Sequence, residues 1–282
     1  MDKIIIKIIN MKNLHYFFLV ALTALAVLSC KSNSASNQGQ EVGATPQDSV
    51  VTLTVNGVSF NMILVKGGTF TMGATEEQGK DAEDDEKPAH EVTLYDYYIG
   101  ETEVTQALYE AVMGENPSDN EGEDLPVEAV EREDCEFFAD KLSELTGKSF
   151  RLPTEAEWEF AARGGNKSKG FKYAGSDNLE DVAWFNDIDG GTHPVKCKAP
   201  NELGLFDMSG NVDEFCIDDY APYSAESQTN PQVEDENSEG QVTRGGNFCT
   251  DEATYCRVSH RGYTTGYLFG SLGFRLVMIV EK

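Results

Sequence analysis

Regular hydrophobic patterns are short in this chain, and that shortness restricts the possible folds more than any other feature. Three stretches have a helical period, at 102–113, 131–145 and 154–165, whereas the chain after residue 165 breaks into short pieces rich in Gly, Asn and Asp. Its 26 Gly and 9 Pro residues add frequent turns. The sequence therefore predicts a loop-rich α+β fold with two main helices and short strands, not a helical bundle.

The two main helical patterns also carry their own boundary signals. The segment 131–145 has one apolar face, made of Cys135, Phe138, Leu142 and Leu145. In 154–165, Thr154 is the predicted N-cap, and Glu157 three residues later completes a capping box. We expect this second helix to end at Gly164.

Strand patterns lie before and after these helices. Residues 51–55 alternate in hydrophobicity, Asn56-Gly57 is a strong hairpin turn, and 58–65 follows as the second strand. Residues 91–99 also alternate, which predicts one strand. Between them, the acidic segment 75–91 predicts an exposed loop, with cation binding as the alternative. The closing strands are predicted at 242–248, 254–262 and 273–280.

The N-terminus has the pattern of an export signal. Residues 14–28 are apolar, follow Lys12, and lead into Ser29-Cys30. This pattern resembles a bacterial lipoprotein signal in which Cys30 is lipidated; a plain cleaved signal is the alternative. We therefore predict a signal peptide at 1–29, a lipidated Cys and flexible tether at 30–50, and a folded domain at 51–282. The lipid would hold the domain at a membrane of the cell envelope, outside the cytoplasm.

Charge and cysteine content narrow the choice of partner. Lys and Arg number 22 against 49 Asp and Glu, a net charge of −27, which argues against nucleic-acid binding and favours cationic partners or metal cations. Without Cys30, five cysteines remain, so at least one thiol is free or pairs between chains. The chain has no CxxC motif and its four His are scattered, so a zinc site has no support.

A series of ordered motifs resembles the formylglycine-generating enzyme (sulfatase-modifying factor) family. The resemblance covers about residues 60–280, and the motifs occur in the family's order. They include 62–73 (MILVKGGTFTMG), 103–105 (EVT), 151–159 (RLPTEAEWE), 201–212 (NELGLFDMSGNV), 244–246 (RGG), 256–261 (CRVSHR) and 273–275 (GFR). The resemblance implies a C-type-lectin-like α+β fold with little regular secondary structure.

Catalytic members of this family resemble copper-dependent oxidases that convert a sulfatase cysteine to formylglycine with molecular oxygen. Two late thiols, four residues apart, bind Cu(I), for which soft thiolates are suitable ligands. The matching candidates here are Cys249 and Cys256, but six residues separate them, and Asn247 replaces the family's Ser. The family's two Trp are replaced by Asp213 and Phe215. Both thiols could instead be structural, with Cys256 paired to Cys135 and Cys249 paired to Cys216 or Cys197.

A calcium site is also implied by the resemblance. The family's ligands match the Asp207 and Glu214 side chains and the carbonyl groups of Gly210 and Val212. Hard oxygen ligands of this kind suit Ca²⁺. The alternative is an acidic turn without metal, in which Asp207 caps the loop.

The altered spacing of the late cysteines and the loss of the family's two Trp favour a binding role over catalysis. We expect a non-catalytic, lipid-anchored domain that binds a protein or glycan ligand at the cell envelope. The expected ligand-binding residues are Ser259, His260, Tyr263, Tyr267 and Phe269. The layout also resembles lectin-fold variable proteins diversified by retroelements, whose variable positions end at a Gly-Phe-Arg segment. The alternatives are the copper-dependent oxidase, which would take part in sulfatase maturation, and a purely structural envelope lipoprotein.

Overall fold

The first described residues form the predicted hairpin. The computed structural model describes residues 49–187, 190–265 and 270–281. Strands β1 (Val50–Val55) and β2 (Val58–Val65) pair antiparallel, in a register that brings Val55 opposite Val58. Asn56 and Gly57 occupy the turn with φ of 49° and 92°, the left-handed conformation that an Asn-Gly hairpin turn requires.

The remaining elements are short, as predicted. The α-helices are α1 (Gln106–Met113), α2 (Arg132–Thr146) and α3 (Glu155–Ala162). The other strands are β3 (Thr69–Met72), β4 (His90–Thr93), β5 (Tyr97–Gly100), β6 (Phe150–Arg151), β7 (Asp213–Asp219), β8 (Gln228–Thr229), β9 (Gln241–Arg244), β10 (Gly262–Thr264), β11 (Leu272–Gly273) and β12 (Val277–Ile279). Single turns of 3₁₀ helix lie at Glu76–Asp81, Asp84–Glu86, Gly165–Lys167, Leu179–Asp181 and Ala253–Cys256. The α+β prediction is confirmed.

Three sheets organise these strands. The largest has the order β1-β2-β5-β12-β6, and all of its neighbours are antiparallel. A four-stranded sheet has the order β10-β9-β7-β11, in which β11 runs parallel to β7. The third is β3-β4-β8. The first and last parts of the described chain thus meet in the largest sheet, through β5 and β12.

The helices begin where local sequence signals indicated. The Thr154 side chain accepts a hydrogen bond from the Glu157 N–H, and the Glu157 carboxylate accepts one from the Thr154 N–H, so the predicted capping box is confirmed. Helix α3 ends at Ala162, shortly before Gly164, which has φ of 89°.

Two apolar cores lie on opposite faces of the largest sheet. Alternate residues of β2 point to different sides, so that Met62 joins one core and Ile63 the other. The first core includes Phe138 of α2, and the second contains Trp158 of α3. Because both faces are covered, β2 ends in four consecutive buried residues instead of an alternating pattern.

Two strand predictions need correction. Residues 91–99 form β4 and β5 in different sheets, because the chain bends between them: the Leu94 N–H bonds to the Gly68 carbonyl and the Tyr95 N–H bonds to Asn230. Residues 254–262 were predicted as a strand, but they begin with a 3₁₀ turn and continue irregularly to β10.

The acidic segment 75–91 is also more than a solvated loop. It contains two 3₁₀ turns, and Glu86 within it is completely buried and paired with Arg257 at 2.5 Å.

The predictions for residues 1–48 concern a part of the chain outside the described residues. The predicted signal, the lipidated Cys30 and most of the tether belong to it. All described residues belong to one compact unit, Gln47–Lys282. Within the described ranges, every helix is too short or too polar to span a membrane.

Candidate functional site

The two candidate copper ligands lie in different environments. Cys249 is exposed in the loop after β9, where its N–H donates a hydrogen bond to Asn247 at 2.8 Å. Cys256 has no exposed surface and packs in a small apolar cluster with Tyr173 and Leu179. A Cβ added at Gly246 would lie 2.9 Å from the Cys256 sulfur. One thiol therefore faces solvent while the other belongs to the interior.

Electrostatics keeps both thiols protonated near neutral pH. Burial raises the pKa of Cys256 to about 12, with a further contribution from the negative charge of Asp213. Burial and the same Asp213 charge raise the pKa of Cys249. Asp213 is half-buried and accepts a hydrogen bond from the Asn247 side chain at 2.5 Å. Since Cu(I) is bound by thiolates, this environment opposes the protonation state that the metal needs.

Disulfide pairing is absent from the described part of the chain. All five of its cysteines are free, which does not fit the structural pairings considered for Cys249 and Cys256. Cys135 packs in the first core and Cys216 in the second, whereas Cys256 belongs to the third cluster. These positions explain why the buried thiols do not pair.

The predicted calcium loop is tightly turned, and its two acidic residues have different partners. Asp207 has φ of 56°, and its Oδ2 accepts the Lys196 N–H at 2.9 Å, while Oδ1 has no partner among the described residues. Glu214 is fully buried and accepts two hydrogen bonds of 2.6 Å from the Arg275 guanidinium. The Trp158 indole also donates to Glu214, at 2.8 Å. Asp207 is therefore open to a further ligand, but the charge of Glu214 is already neutralised.

The backbone positions of this loop are closely packed. Gly210 donates its N–H to the Gly245 carbonyl at 2.9 Å, and a Cβ at Gly210 would lie 2.3 Å from the Trp184 carbonyl oxygen. Val212 is completely buried. Over the described ranges, no cluster of three or more His, Cys, Asp or Glu side chains is arranged to hold a metal ion. Calcium at Asp207, Gly210, Val212 and Glu214 stays a prediction.

A stack of aromatic and guanidinium groups lies beneath Tyr263. Tyr263 on β10 is 47% exposed, and its ring stacks on that of Tyr220 at 4.6 Å. The Arg261 guanidinium lies over the rings of Tyr220 and Tyr223, 4.6 Å from the first ring centroid and 3.9 Å from the second. Arg261 is itself bound to Glu155 at 2.7 and 2.9 Å. The exposed Tyr263 ring is thus supported by a buried ion pair.

An open acidic cleft is formed by the strand residues after Tyr263 and the start of α2. Its volume is about 430 Å³. The lining residues include Glu131, Arg132, Glu133, Glu239, Gln241 and Thr264. The only cationic side chain among them, Arg132, already donates to Asp219 at 3.2 Å. The cleft therefore carries an excess of negative charge.

The other predicted ligand-binding residues have different positions. Ser259 is completely buried, and its hydroxyl donates to Glu86 at 2.6 Å, which corrects its expected place on the surface. His260 is half-buried beside Tyr255, with ring centroids 4.9 Å apart. Burial and nearby Arg244 lower the pKa of His260 to about 4, so the ring is neutral at pH 7. Tyr267 and Phe269 lie outside the described residues.

Two features of the site were missed in the sequence. Glu103, the first residue of the EVT motif, is buried near Asp207, and neither of its carboxylate oxygens has a hydrogen-bond partner in the part of the chain that the structure describes. Tyr220, directly after β7, supports Tyr263. The sequence could have drawn attention to Glu103 through its place in the EVT motif. A motif does not indicate, however, whether a cation neutralises the carboxylate in the folded chain.

Comparison with known proteins decides the family. The pattern of the "Sulfatase-modifying factor enzyme 1-like domain" matches residues 53–280. This chain belongs to the sulfatase-modifying factor family. A formylglycine-generating enzyme of Streptomyces coelicolor is 31% identical, over 76% of this chain and 87% of its own length.

Other members of the family and of the fold carry different names. "Chaperone protein LppX" of Paenibacillus barcinonensis is 35% identical over 210 residues, which cover 56% of this sulfatase-modifying factor chain and 71% of the relative. The solved structure of Treponema denticola variable protein 1 superposes with a TM-score of 0.72 at 32% identity, covering 82% of this chain and 99% of the other. The family thus includes relatives named as enzymes and relatives named otherwise.

Proposed function

We propose that this sulfatase-modifying factor domain is a non-catalytic binding module, held at the cell envelope by lipidated Cys30. The partner is a protein segment with positive charge, bound around Tyr263 and the acidic cleft beside it. The observation that carries the proposal is the separation of the late thiols into an exposed Cys249 and a buried Cys256, both protonated at neutral pH.

The thiol arrangement supports the non-catalytic part of the proposal. A cysteine pair that binds Cu(I) needs two sulfurs that converge and lose their protons. Here burial, and then the Asp213 charge, oppose deprotonation of both thiols, and the Cys256 sulfur packs among apolar side chains. Copper binding would have to overcome both effects before any oxygen chemistry could begin.

The surface around Tyr263 supports the binding part of the proposal. A large, half-exposed aromatic ring on a supported strand offers contact area with little loss of side-chain entropy. The neighbouring cleft is negative, because Glu131, Glu133 and Glu239 outnumber Arg132. A cationic segment with an apolar or aromatic residue would complement both features.

Two comparisons support a binding role without fixing the partner. The relative from Paenibacillus barcinonensis is named a chaperone, a class of protein that binds other proteins. The Treponema denticola structure is named a variable protein, and this chain covers 99% of it.

Substitution of Tyr263 tests the proposed surface. In intact cells, we expect Tyr263→Ala to remove a crosslinked partner that the wild-type protein retains, with almost no change in Tm. Tyr95→Ala is the matched control, since Tyr95 is 67% exposed in the bend between β4 and β5. The control should keep the crosslink. If Tyr263→Ala keeps it as well, or lowers Tm strongly, the ring is not the contact that we propose.

Formylglycine formation is the second candidate, favoured by the extent of the match to the Streptomyces coelicolor enzyme. Its test is Cu(I) titration of the reduced protein, with oxygen uptake measured on a peptide containing Cys-x-Pro-x-Arg. We expect neither stoichiometric tight copper binding nor peptide turnover. Turnover that is lost in Cys256→Ser would establish the oxidase and overturn the non-catalytic proposal.

A further inference from the structure

Strand β1 is the outer edge of the largest sheet. It pairs with β2 on one side, and among the described residues no strand lies on its other side. The Leu64 N–H bonds to the Ser49 carbonyl at 2.9 Å, so Ser49 and every second residue after it turn their peptide groups towards β2. The N–H and C=O groups of Val50, Thr52 and Thr54 therefore point away from β2, and they make no hydrogen bond within the described part of the chain.

This edge has none of the features that usually protect an exposed strand. Natural edge strands carry Lys, Pro or a bulge, which discourage pairing with another chain. Strand β1 has the sequence VVTLTV, contains no charged residue or Pro, and pairs with β2 in an unbroken register. Its first five residues are exposed or half-buried, and Val50 keeps 45% of its surface exposed. The edge is therefore open to pairing with one more strand.

The hairpin that carries this edge is also electrically neutral. Residues 49–65 include no Asp, Glu, Lys or Arg, in a chain whose net charge is −27. Two chains of this charge repel each other, and contact through a neutral hairpin reduces that repulsion. A cationic partner, by contrast, would gain no charge attraction there. The absence of charge favours a second copy of this chain over the cationic partner that we propose for the Tyr263 surface.

Antiparallel pairing of β1 with β1 of a second copy satisfies both edges at once. Because the outward groups belong to alternate residues, a two-fold axis at Thr52 would place Thr52 opposite its own counterpart and Val50 opposite Thr54. β-Branched side chains in directly opposite positions stabilise a sheet. Val51 and Leu53 are half-buried against the first core, and the same residues of the second copy would cover them further.

We infer that this protein forms a symmetric dimer through β1, in which two five-stranded sheets join into one continuous sheet. One pair of short strands buries less surface than the ~1,600 Å² of a standard interface, so the dimer is weak and its population depends on concentration. Salt should favour it, because the two copies carry the same net charge. The inference does not depend on the proposed function, since Tyr263 lies on β10 in another sheet.

Sedimentation of the full chain carrying Cys30→Ser, over a range of protein and NaCl concentrations, tests the dimer. We expect a monomer–dimer equilibrium that shifts towards dimer as either concentration rises. Thr52→Lys should weaken dimerisation by about fivefold or more, because it places like charges opposite each other at the two-fold axis. Its Tm should hardly change, because the Thr52 side chain is exposed.

Ser59→Lys is the matched control for Thr52→Lys. Both positions are exposed, and each side chain makes one hydrogen bond across the hairpin, Thr52 to Asn61 at 2.7 Å and Ser59 to Thr54 at 2.9 Å. Ser59 lies on β2, one strand away from the edge. Ser59→Lys should therefore keep wild-type dimerisation.

Disulfide trapping locates the contact. In the same chain with the exposed Cys197 and Cys249 changed to Ser, Thr52→Cys should oxidise to a linked dimer. Opposite Cα atoms in such a pair lie about 5.5 Å apart, within disulfide range. Ser59→Cys should remain unlinked, because three strand spacings would separate it from its counterpart by about 14 Å.

Three results would overturn the inference. The first is a wild type that stays monomeric at every concentration, as expected if residues 31–48 of the same chain cover β1. The second is a dimer that Thr52→Lys leaves unchanged, which would place the contact elsewhere. The third is linkage of Ser59→Cys as readily as Thr52→Cys.

Discussion

Buried arginine–glutamate pairs connect distant parts of this molecule. Arg257 binds Glu86 at 2.5 Å, Arg244 binds Glu159 at 2.7 Å, and Arg275 binds Glu214 at 2.6 Å. Each guanidinium is completely buried, and Arg275 also donates to backbone carbonyls. Backbone groups in irregular segments have no neighbouring strand to bond to. Buried arginine side chains bond to such groups instead. Loss of either partner would leave an unpaired buried charge.

Asp218 predicts a specific pH dependence. Burial, and then the charge of Glu155, raise the pKa of Asp218 to about 7, although its carboxylate accepts N–H groups from Glu155 and Val233 at 2.8 Å. In the unfolded chain an Asp has a pKa of about 3.9. Between these values the folded state holds a proton that the unfolded state releases. This group therefore lowers the free energy of unfolding by up to about 1.4 kcal/mol for each pH unit of increase.

Urea unfolding at pH 5, 6, 7 and 8 tests this prediction with Asp218→Asn. The wild type should lose stability relative to the variant as pH rises, and the difference should level off above pH 7. Asp251→Asn, in an exposed loop, is the control and should follow the wild type. Parallel profiles for the wild type and Asp218→Asn would show that the carboxyl does not titrate in this range.

Among the secondary-structure elements, α3 shows which features the local sequence predicts and which it does not. Its capping box, formed by Thr154 and Glu157, was predicted from spacing and is confirmed. Every residue of the helix is buried, including Glu155 and Glu159, which pair with Arg261 and Arg244. Glutamates at 155, 157 and 159 suggest an exposed helix. The burial of Glu155 and Glu159 depends on arginines from late in the chain, which no local pattern indicates, whereas Glu157 pairs with the nearby Arg151.

The N-cap of α3 makes a measurable contribution. Thr154→Ala leaves the buried Glu157 N–H without its 3.2 Å partner. We expect a loss of about 1–2 kcal/mol in the free energy of unfolding, measured by urea denaturation. Thr254→Ala is the control, because the Thr254 hydroxyl makes only a 3.4 Å contact with Glu252, and it should change stability by less than about 0.5 kcal/mol. Equal effects would show that the cap contributes little.

Strands were harder to predict than helices for a physical reason. The hairpin of β1 and β2 was predicted because its turn and its pairing are local. The division of 91–99 into β4 and β5 depends on bonds to Gly68 and Asn230, which are distant in sequence. Strand β7 pairs with β9 and β11, again far along the chain. A strand ends where its partner ends, and sequence spacing does not reveal the partner.

At the scale of the whole molecule, the described chain is stabilised without cross-links. Two apolar cores cover the faces of the largest sheet, and a third cluster lies around Cys256. The buried thiols behave as small apolar side chains within separate clusters. The predicted export of this domain would permit disulfides, but the placement of its five cysteines makes pairing unnecessary for packing.

Reductant is therefore expected to have no effect on folding. In a Cys30→Ser chain, Tm should be the same with and without dithiothreitol. A maleimide should react quickly with Cys197 and Cys249, which are exposed, and with the three buried thiols only after denaturation. A lower Tm in dithiothreitol, or fewer than five reactive thiols in denaturant, would contradict this view.

The sequence by itself determined the family, the α+β class, the hairpin turn and the helix caps, because motifs, turns and caps depend on residues that are close in the chain. Tertiary structure alone decided which acidic groups are neutralised. Glu214 meets Arg275 across 61 positions and Glu86 meets Arg257 across 171, whereas Glu103 and Asp207 receive no such partner in the described chain. A charge is stabilised by what surrounds it in space, and those surroundings exist only once the chain has folded.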